Sequence, residues 1–231
     1  MKLLAVETAT EACSAALYID GEITERFALA PKEHTKLILP MIDGLMADAG
    51  LTPLDLDALA FGCGPGSFTG VRIATGIIQG IAFGADLPVV PISTLAAIAQ
   101  DFFDHNDDDL NGKMAFVAMD ARMGEIFWGV YQRNETGYAE LIGREAVTPA
   151  EMIEFPDIDG VGIGSGWGVY RHELMTQLVG RVNRCQTDLL PRAGAIARLG
   201  ARGFEQGLAV PVEKAMPVYL RDKVAKKESE R

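Results

Sequence analysis

The stretch GCGPGSFTGVRIATG, residues 62–76, holds the densest set of residues able to do chemistry. Gly62, Gly64, Gly66 and Gly70, with Pro65 among them, let a backbone pass tightly from a strand into a helix. Ser67 stands at the helix start. Such a turn presents N–H groups at the positive end of a helix, a geometry that binds phosphate. The lysine of a GxxxxGK[ST] loop is missing, and so is the GxSxG elbow of a serine hydrolase. A close strand–helix crossing needs the same glycines with no ligand at all. Glu7 and Asp120 each end an apolar run, where a cleft acid could hold Mg²⁺ and Thr8 and Thr10 could add hydroxyls; either acid could equally cap a turn. A nucleotide site in this chain would therefore draw on Glu7, Thr8, Gly64, Gly66 and Ser67.

Other chemistry finds less support. His34, His105 and His172 form no HxxxH or HExxH pair, so no metal site is expected; His34 reads as a helix-surface residue. Cys13, Cys63 and Cys185 fit no zinc or redox spacing, and read as small buried hydrophobes in a reducing compartment. With Lys plus Arg 21 against Asp plus Glu 32, the net charge is −11. A surface this acidic repels a phosphate backbone, so any RNA would have to be held through another subunit. The tail RDKVAKKESER reads as a solvated end. MKLLAV is too short for a secretory h-region, and no uninterrupted apolar run reaches the roughly 18 residues of a membrane span. The expectation is a cytoplasmic protein with no membrane partner.

The elements that must position these residues follow from spacing. At 231 residues and 48% apolar, the chain can bury a substantial core. Strands are predicted over residues 2–6, 13–19 and 23–29, the last two joined by an Asp20-Gly21 hairpin turn. A helix should span 33–49, stopping at Gly50, with Pro40 bending or restarting it. Residues 59–61 form a strand feeding the glycine turn, and a helix follows over 69–85. A short strand at 89–90 leads to a helix capped by Ser93 or Thr94 and reaching 103. The polar stretch HNDDDLNG, residues 105–112, is the natural boundary. Beyond it come strands at 114–119 and 126–132 and a short helix begun by a Thr148–Glu151 capping box. A strand at 161–163, a glycine loop at 164–168, and helices at 169–179 and 191–206 complete the pattern.

The two halves repeat one order. KLLAVE, a turn and CSAALYID parallel KMAFVAMD, a turn and IFWGVYQR; LAFGCGPG before a helix parallels VGIGSGWG before a helix. In each half an acid, Glu7 or Asp120, ends the first strand. This predicts a duplicated α/β fold with a cleft between lobes. Residues 1–104 form the first lobe and 105–231 the second, whose last helix packs back on the first.

The first lobe's two helices are apolar nearly all round, which calls for burial on more than one side. A partner interface is therefore expected at Leu37, Ile38, Met41, Ile42, Leu45, Val71, Arg72, Thr75, Ile78, Gln79 and Phe83. Its simplest occupant in the isolated chain is a second copy, giving a symmetric homodimer. Ile38, Ile42 and Ile78 are expected on the exposed face, so Ile78→Asp should leave the subunit folded while abolishing association.

AVETATEACSAAL, EHTKLILPMI, GCGPGSFTGVRIATG, DARMGEIFWGVY and PVYLRDKVAKK together resemble the TsaB (YeaZ) family over nearly the whole chain. The resemblance implies a duplicated ribonuclease-H-like, actin-like ATPase (ASKHA) fold. It also implies a part in placing threonylcarbamoyl on adenosine in tRNA. The implied partners are a catalytic TsaD-like paralogue and a small TsaE-like ATPase; because the over-apolar helix pair is the one such surface in the sequence, the paralogue is expected to dock there in competition with the homodimer. No cofactor is implied for the chain alone; ATP or ADP and Mg²⁺ would belong to the complex. Glu7 departs from the family's usual Asp, and Cys63 stands where a basic residue is common. A small-molecule kinase of the same superfamily is the enzyme alternative. A protease would need a nucleophile–base pair or metal motif that the sequence does not offer.

Overall fold

The computed structural model describes residues 1–106 and 114–221. The apolar run KLLAVE is β1 (Lys2–Glu7), and Asp20 and Gly21, both at positive φ, turn β2 (Ala12–Ile19) back into β3 (Glu22–Leu29). β4 (Ala58–Gly64) and β5 (Val89–Ser93) complete a sheet of order β3-β2-β1-β4-β5, with β1 antiparallel to β2 and parallel to β4. Two helices cover its outer face: α1 (His34–Ala49), closed by Gly50 in the left-handed conformation, and α2 (Phe68–Ala85), capped by Ser67. Pro40 lacks the N–H that would reach the fourth residue back, yet α1 runs through it as one helix.

The second half repeats the plan. β6 (Met114–Asp120), β7 (Glu125–Arg133), β8 (Ala139–Pro149), β9 (Gly160–Ile163) and β10 (Val182–Gln186) form a sheet of order β10-β9-β6-β7-β8. Read from the other edge, this is the first sheet's order shifted by five strands, with the same mixture of directions. The molecule has a two-lobed, duplicated α/β fold.

The lobes share a middle layer. α6 (Ala193–Glu205) lies on the inner face of the first sheet, where Gly200 packs so closely on Ala60 that a Cβ would stand 2.6 Å from it. α3 (Thr94–His105), assigned from sequence to the first lobe, buries Leu95, Ile98, Phe102 and Phe103 among Val117, Tyr131 and Ile163 of the second sheet. α3 and α6 also touch each other, so each lobe contributes to the packing of its neighbour.

Several expectations need correction. The expected elements lack β8 and β10: β8 is a half-exposed edge strand bulged around Gly143, at φ 79°, and β10 is short and polar. Thr148 makes no capping box, because it belongs to β8; only a 3-10 turn, Ala150–Met152, follows. The helix expected at 169–179 is two pieces, α4 (Gly166–Val169) and α5 (Arg171–Gln177). The proposed boundary at 105–112 lies, beyond Asn106, outside the described residues, and so does the basic tail after Arg221.

Candidate functional site

The turn from β1 to β2 fixes one wall of a cleft between the lobes. Ala9 accepts a hydrogen bond from the Ser67 N–H at 2.7 Å, and the Thr8 hydroxyl donates to the Gly70 carbonyl at 2.7 Å. These contacts explain two glycines: a Cβ at Gly66 would lie 2.6 Å from the Ala9 carbonyl oxygen, and one at Gly70 would lie 2.1 Å from that of Thr8. The loop and the turn are packed backbone to backbone. His34, at the start of α1, is buried rather than on the helix surface. Its Nε2 faces the carbonyl oxygens of Thr10 and Ala12 at 2.9 and 3.2 Å, so it carries the proton and donates, pinning the turn.

The cleft has a volume of about 610 Å³. Thr10, Glu11, Lys32, Gly66, Ser67 and Phe68 line it from the first lobe, and Met119, Asp120, Arg122, Phe127 and Ser165 from the second. Val218, Tyr219, Leu220 and Arg221 close one side. Of the residues singled out for a nucleotide, Gly66 and Ser67 reach this cavity; Glu7, Thr8 and Gly64 do not line it.

Glu7 is fully enclosed. Its Oε1 accepts from the Ala9 N–H at 2.5 Å, while Oε2 has no partner and sits where a Cβ on Gly62 would be, 1.8 Å away. Burial pushes its carboxyl up to about 7, against the opposing pull of the Ala9 and Thr8 N–H groups. Burial likewise pushes the Cys63 thiol up to about 12, helped by Glu145 and Glu7, and the Cys13 thiol to about 11, so neither is a ready thiolate. Glu7 does not fit the part of a cleft acid holding Mg²⁺, because its free oxygen faces the sheet.

Asp120 lies at the rim and is already engaged. Its Oδ1 accepts from the Arg122 N–H at 2.8 Å and from the Tyr170 hydroxyl at 3.3 Å, and Oδ2 pairs with the Arg122 guanidinium at 2.9 Å. By strand register the two acids are not equivalent: Val6 pairs with Phe61 and Val117 with Ile163, so Glu7 corresponds to Ala118, two residues before Asp120. Among the described residues no group of three or more His, Cys, Asp or Glu side chains is placed to hold a metal ion.

The α1–α2 layer divides the expected interface in two. Ile38, Ile42, Leu45, Val71, Thr75 and Ile78 are buried inside their own lobe, most of them packed on β2 and β4. They cannot form an outward face, and Ile78→Asp would strike the core of the free chain rather than probe an interface. Arg72 and Phe83 are exposed, and Leu37, Met41 and Gln79 are half-buried. Gln79 donates to the Ala215 carbonyl at 2.8 Å. The outer face of α2 also carries Gly76, Gly80 and Gly84, around which a Cβ would meet nothing within 4 Å. That glycine repeat every four residues is legible in GIIQGIAFGA and lies on one face of the helix. Phe68–Ala85 is the one described helix long and apolar enough to cross a membrane, but Val71, Ala74, Ile78 and Ala82 seat it on the lobe's own sheet.

Residues 28–228 match the family described as TsaD, tRNA N6-adenosine threonylcarbamoyltransferase. The chain is 42% identical to the tRNA threonylcarbamoyladenosine biosynthesis protein TsaB of Escherichia coli (strain K12), over 97% of this chain and 96% of that protein. It is 39% identical to the protein of the same name from Haemophilus influenzae, over 97% and 95%. Among solved structures, YeaZ from Pseudomonas aeruginosa superimposes with a TM-score of 0.86 at 39% identity, covering 95% of this chain and 99% of that one.

Proposed function

The chain belongs to the TsaB (YeaZ) family, and from that premise we propose that it serves tRNA threonylcarbamoyladenosine biosynthesis as a non-catalytic partner subunit. It pairs with a catalytic TsaD-like paralogue through the outer face of α1 and α2, and the same face joins two copies when the chain is alone. A TsaE-like ATPase completes the assembly. ATP or ADP with Mg²⁺ is handled by the complex, and tRNA is held by the more basic partners. The assembly works in the cytoplasm.

The observation that carries this reading is the open face of α2. Gly76, Gly80 and Gly84 leave a groove in which another helix backbone can approach closely, and Phe83, 82% exposed, stands beside it. A helix that is buried on one side and both apolar and empty on the other is suited to a partner helix pair of the same fold. The enclosed Glu7 supports the non-catalytic part: its free carboxylate oxygen faces Gly62, away from any nucleotide in the cleft.

Gly80→Glu tests the reading without touching the core, since position 80 opens on space. It should leave circular dichroism and the unfolding midpoint nearly unchanged. Self-association, capture of the TsaD-like paralogue, and threonylcarbamoyladenosine formation in a reconstituted assay should each fall at least about tenfold, as expected for a charge buried against an apolar surface. Normal capture and modification by Gly80→Glu would overturn the shared-face proposal.

A further inference from the structure

Residues 215–221 cross the mouth of the cleft without regular secondary structure, after a 3-10 turn at Val212–Lys214. On the first lobe the strap is held at several points. The Val218 N–H donates to the Cys63 carbonyl at 2.7 Å, and Gln79 donates to Ala215. The Tyr219 ring packs against Phe68 at 5.9 Å, and Arg72 stacks over Phe68 at 3.3 Å and over Tyr219 at 4.9 Å. The glycine loop is shaped to this strap. Gly64 has φ 113°, and a Cβ there would stand 2.6 Å from the Val218 carbonyl oxygen.

On the second lobe, among the described residues, the strap is anchored by the Arg221 side chain. Arg221 donates to the Ala121 carbonyl at 3.0 Å, to the Arg122 carbonyl at 3.4 Å and to the Glu125 carboxylate at 2.5 Å. All three belong to the turn that joins β6 to β7, where Arg122, Met123 and Gly124 are left-handed. Little apolar burial secures the strap between its anchors. Ala215 is fully buried, but Met216, Val218 and Tyr219 are 58%, 43% and 45% exposed. A segment held by a few polar and ring contacts opens at low free-energy cost compared with a core strand.

Other polar ties between the lobes lie away from the cleft. Ser93, at the end of β5, and Tyr131 of β7 both donate to the half-buried Glu145 of β8, and Arg192 pairs with Glu25 of β3. These ties sit in the lobe junction, whereas the strap spans the cleft mouth through Arg221. We propose that residues 215–221 are a latch that sets how far the cleft opens, with Arg221 as its releasable end. Freeing Arg221 lets the mouth widen while the α3–α6 layer and the Ser93–Glu145–Tyr131 tie keep the lobes folded together.

The test places spin labels on helices of opposite lobes, at Lys36→Cys in α1 and Val169→Cys in α4, in a chain carrying Cys185→Ser. Pulsed electron resonance on this parent should give one narrow distance distribution. Arg221→Ala should broaden it and shift its mean, Glu125→Ala should do so in part, and Arg221→Lys should fall between parent and Arg221→Ala. Amide exchange should quicken about tenfold at Val218 and Glu125, and stay at parental rates within β1 and β6. An Arg221→Ala distribution that superimposes on the parent's would overturn the latch. So would exchange that quickens equally in β1 and β6, because the arginine would then be supporting the whole fold.

Discussion

The two lobes share strand order and strand direction, yet they finish their outer faces differently. The first sheet is covered by α1 and α2, of 16 and 18 residues, whereas the second is covered by α4 and α5, of 4 and 7. Where the second lobe lacks helix length it uses aromatic volume. Trp167 is fully buried, its indole N–H donates to the Phe116 carbonyl at 2.8 Å, and Phe116 stacks on Trp128 at 5.9 Å. The second lobe thus closes its outer face with its own side chains. The first leaves Gly76, Gly80, Gly84 and Phe83 uncovered, and the proposed partner face rests on that asymmetry.

The strand-end acids differ in the same spirit. Glu7 lies inside its lobe with one oxygen unpaired, and Asp120 lies at the rim with both oxygens engaged. A two-residue offset in strand register accounts for it.

The largest effect expected from this comparison is on the second lobe's aromatic layer. Trp167→Ala removes a fully buried ring and strands the Phe116 carbonyl, and should cost about 3–5 kcal/mol in denaturant unfolding. Phe83→Ala in the isolated monomer should stay within about 0.5 kcal/mol, since the ring is 82% exposed. Comparable losses in the two variants would break the contrast between a self-sealed lobe and an open one.

Next in size is the buried acid. The folded-state pKa of Glu7 is raised from 4.5 to about 7, so the folded chain holds this proton more tightly than the unfolded chain does. The associated stability is complete below pH 4.5 and is lost as the pH rises through about 7, a change of about 3 kcal/mol. Glu145, also raised by burial, acts in the same direction. Unfolding midpoints measured from pH 5 to 8 should therefore fall in the parent and fall less in Glu7→Gln. A Glu7→Gln profile parallel to the parent's would remove the acid from the account.

The smallest effect concerns how the glycine loop hands over to α2. Ser67 accepts from the Gly70 N–H at 3.4 Å, and Ser67→Ala should cost about 1 kcal/mol. Ser165, before α4, caps nothing through its side chain but accepts from the Asp120 N–H at 3.2 Å. Ser165→Ala should instead loosen the β6 end, seen as faster amide exchange at Asp120 with little change in α4. If Ser67→Ala were silent, the two glycine loops would be closer in mechanism than their lobes suggest.

Much of this architecture was legible in one dimension. Short apolar runs read as buried strands, the Asp20-Gly21 turn, Gly50 as a helix stop and the repeated strand–turn–strand order depend on residues close together in sequence, whose spacing reports their geometry directly. β8 and β10 escaped because edge strands need not alternate cleanly when only part of one face is buried. The sequence by itself also showed that α1 and α2 are too apolar for a single buried stripe. Which side meets the sheet was decided only in three dimensions, because a helix apolar all round has no orientation until a neighbour covers part of it. The same holds for Glu7, whose burial depends on Gly62, and for residues 215–221, which have no period of their own. Their positions come from contacts with Cys63, Phe68 and Glu125, far away along the chain and adjacent only once both lobes have folded.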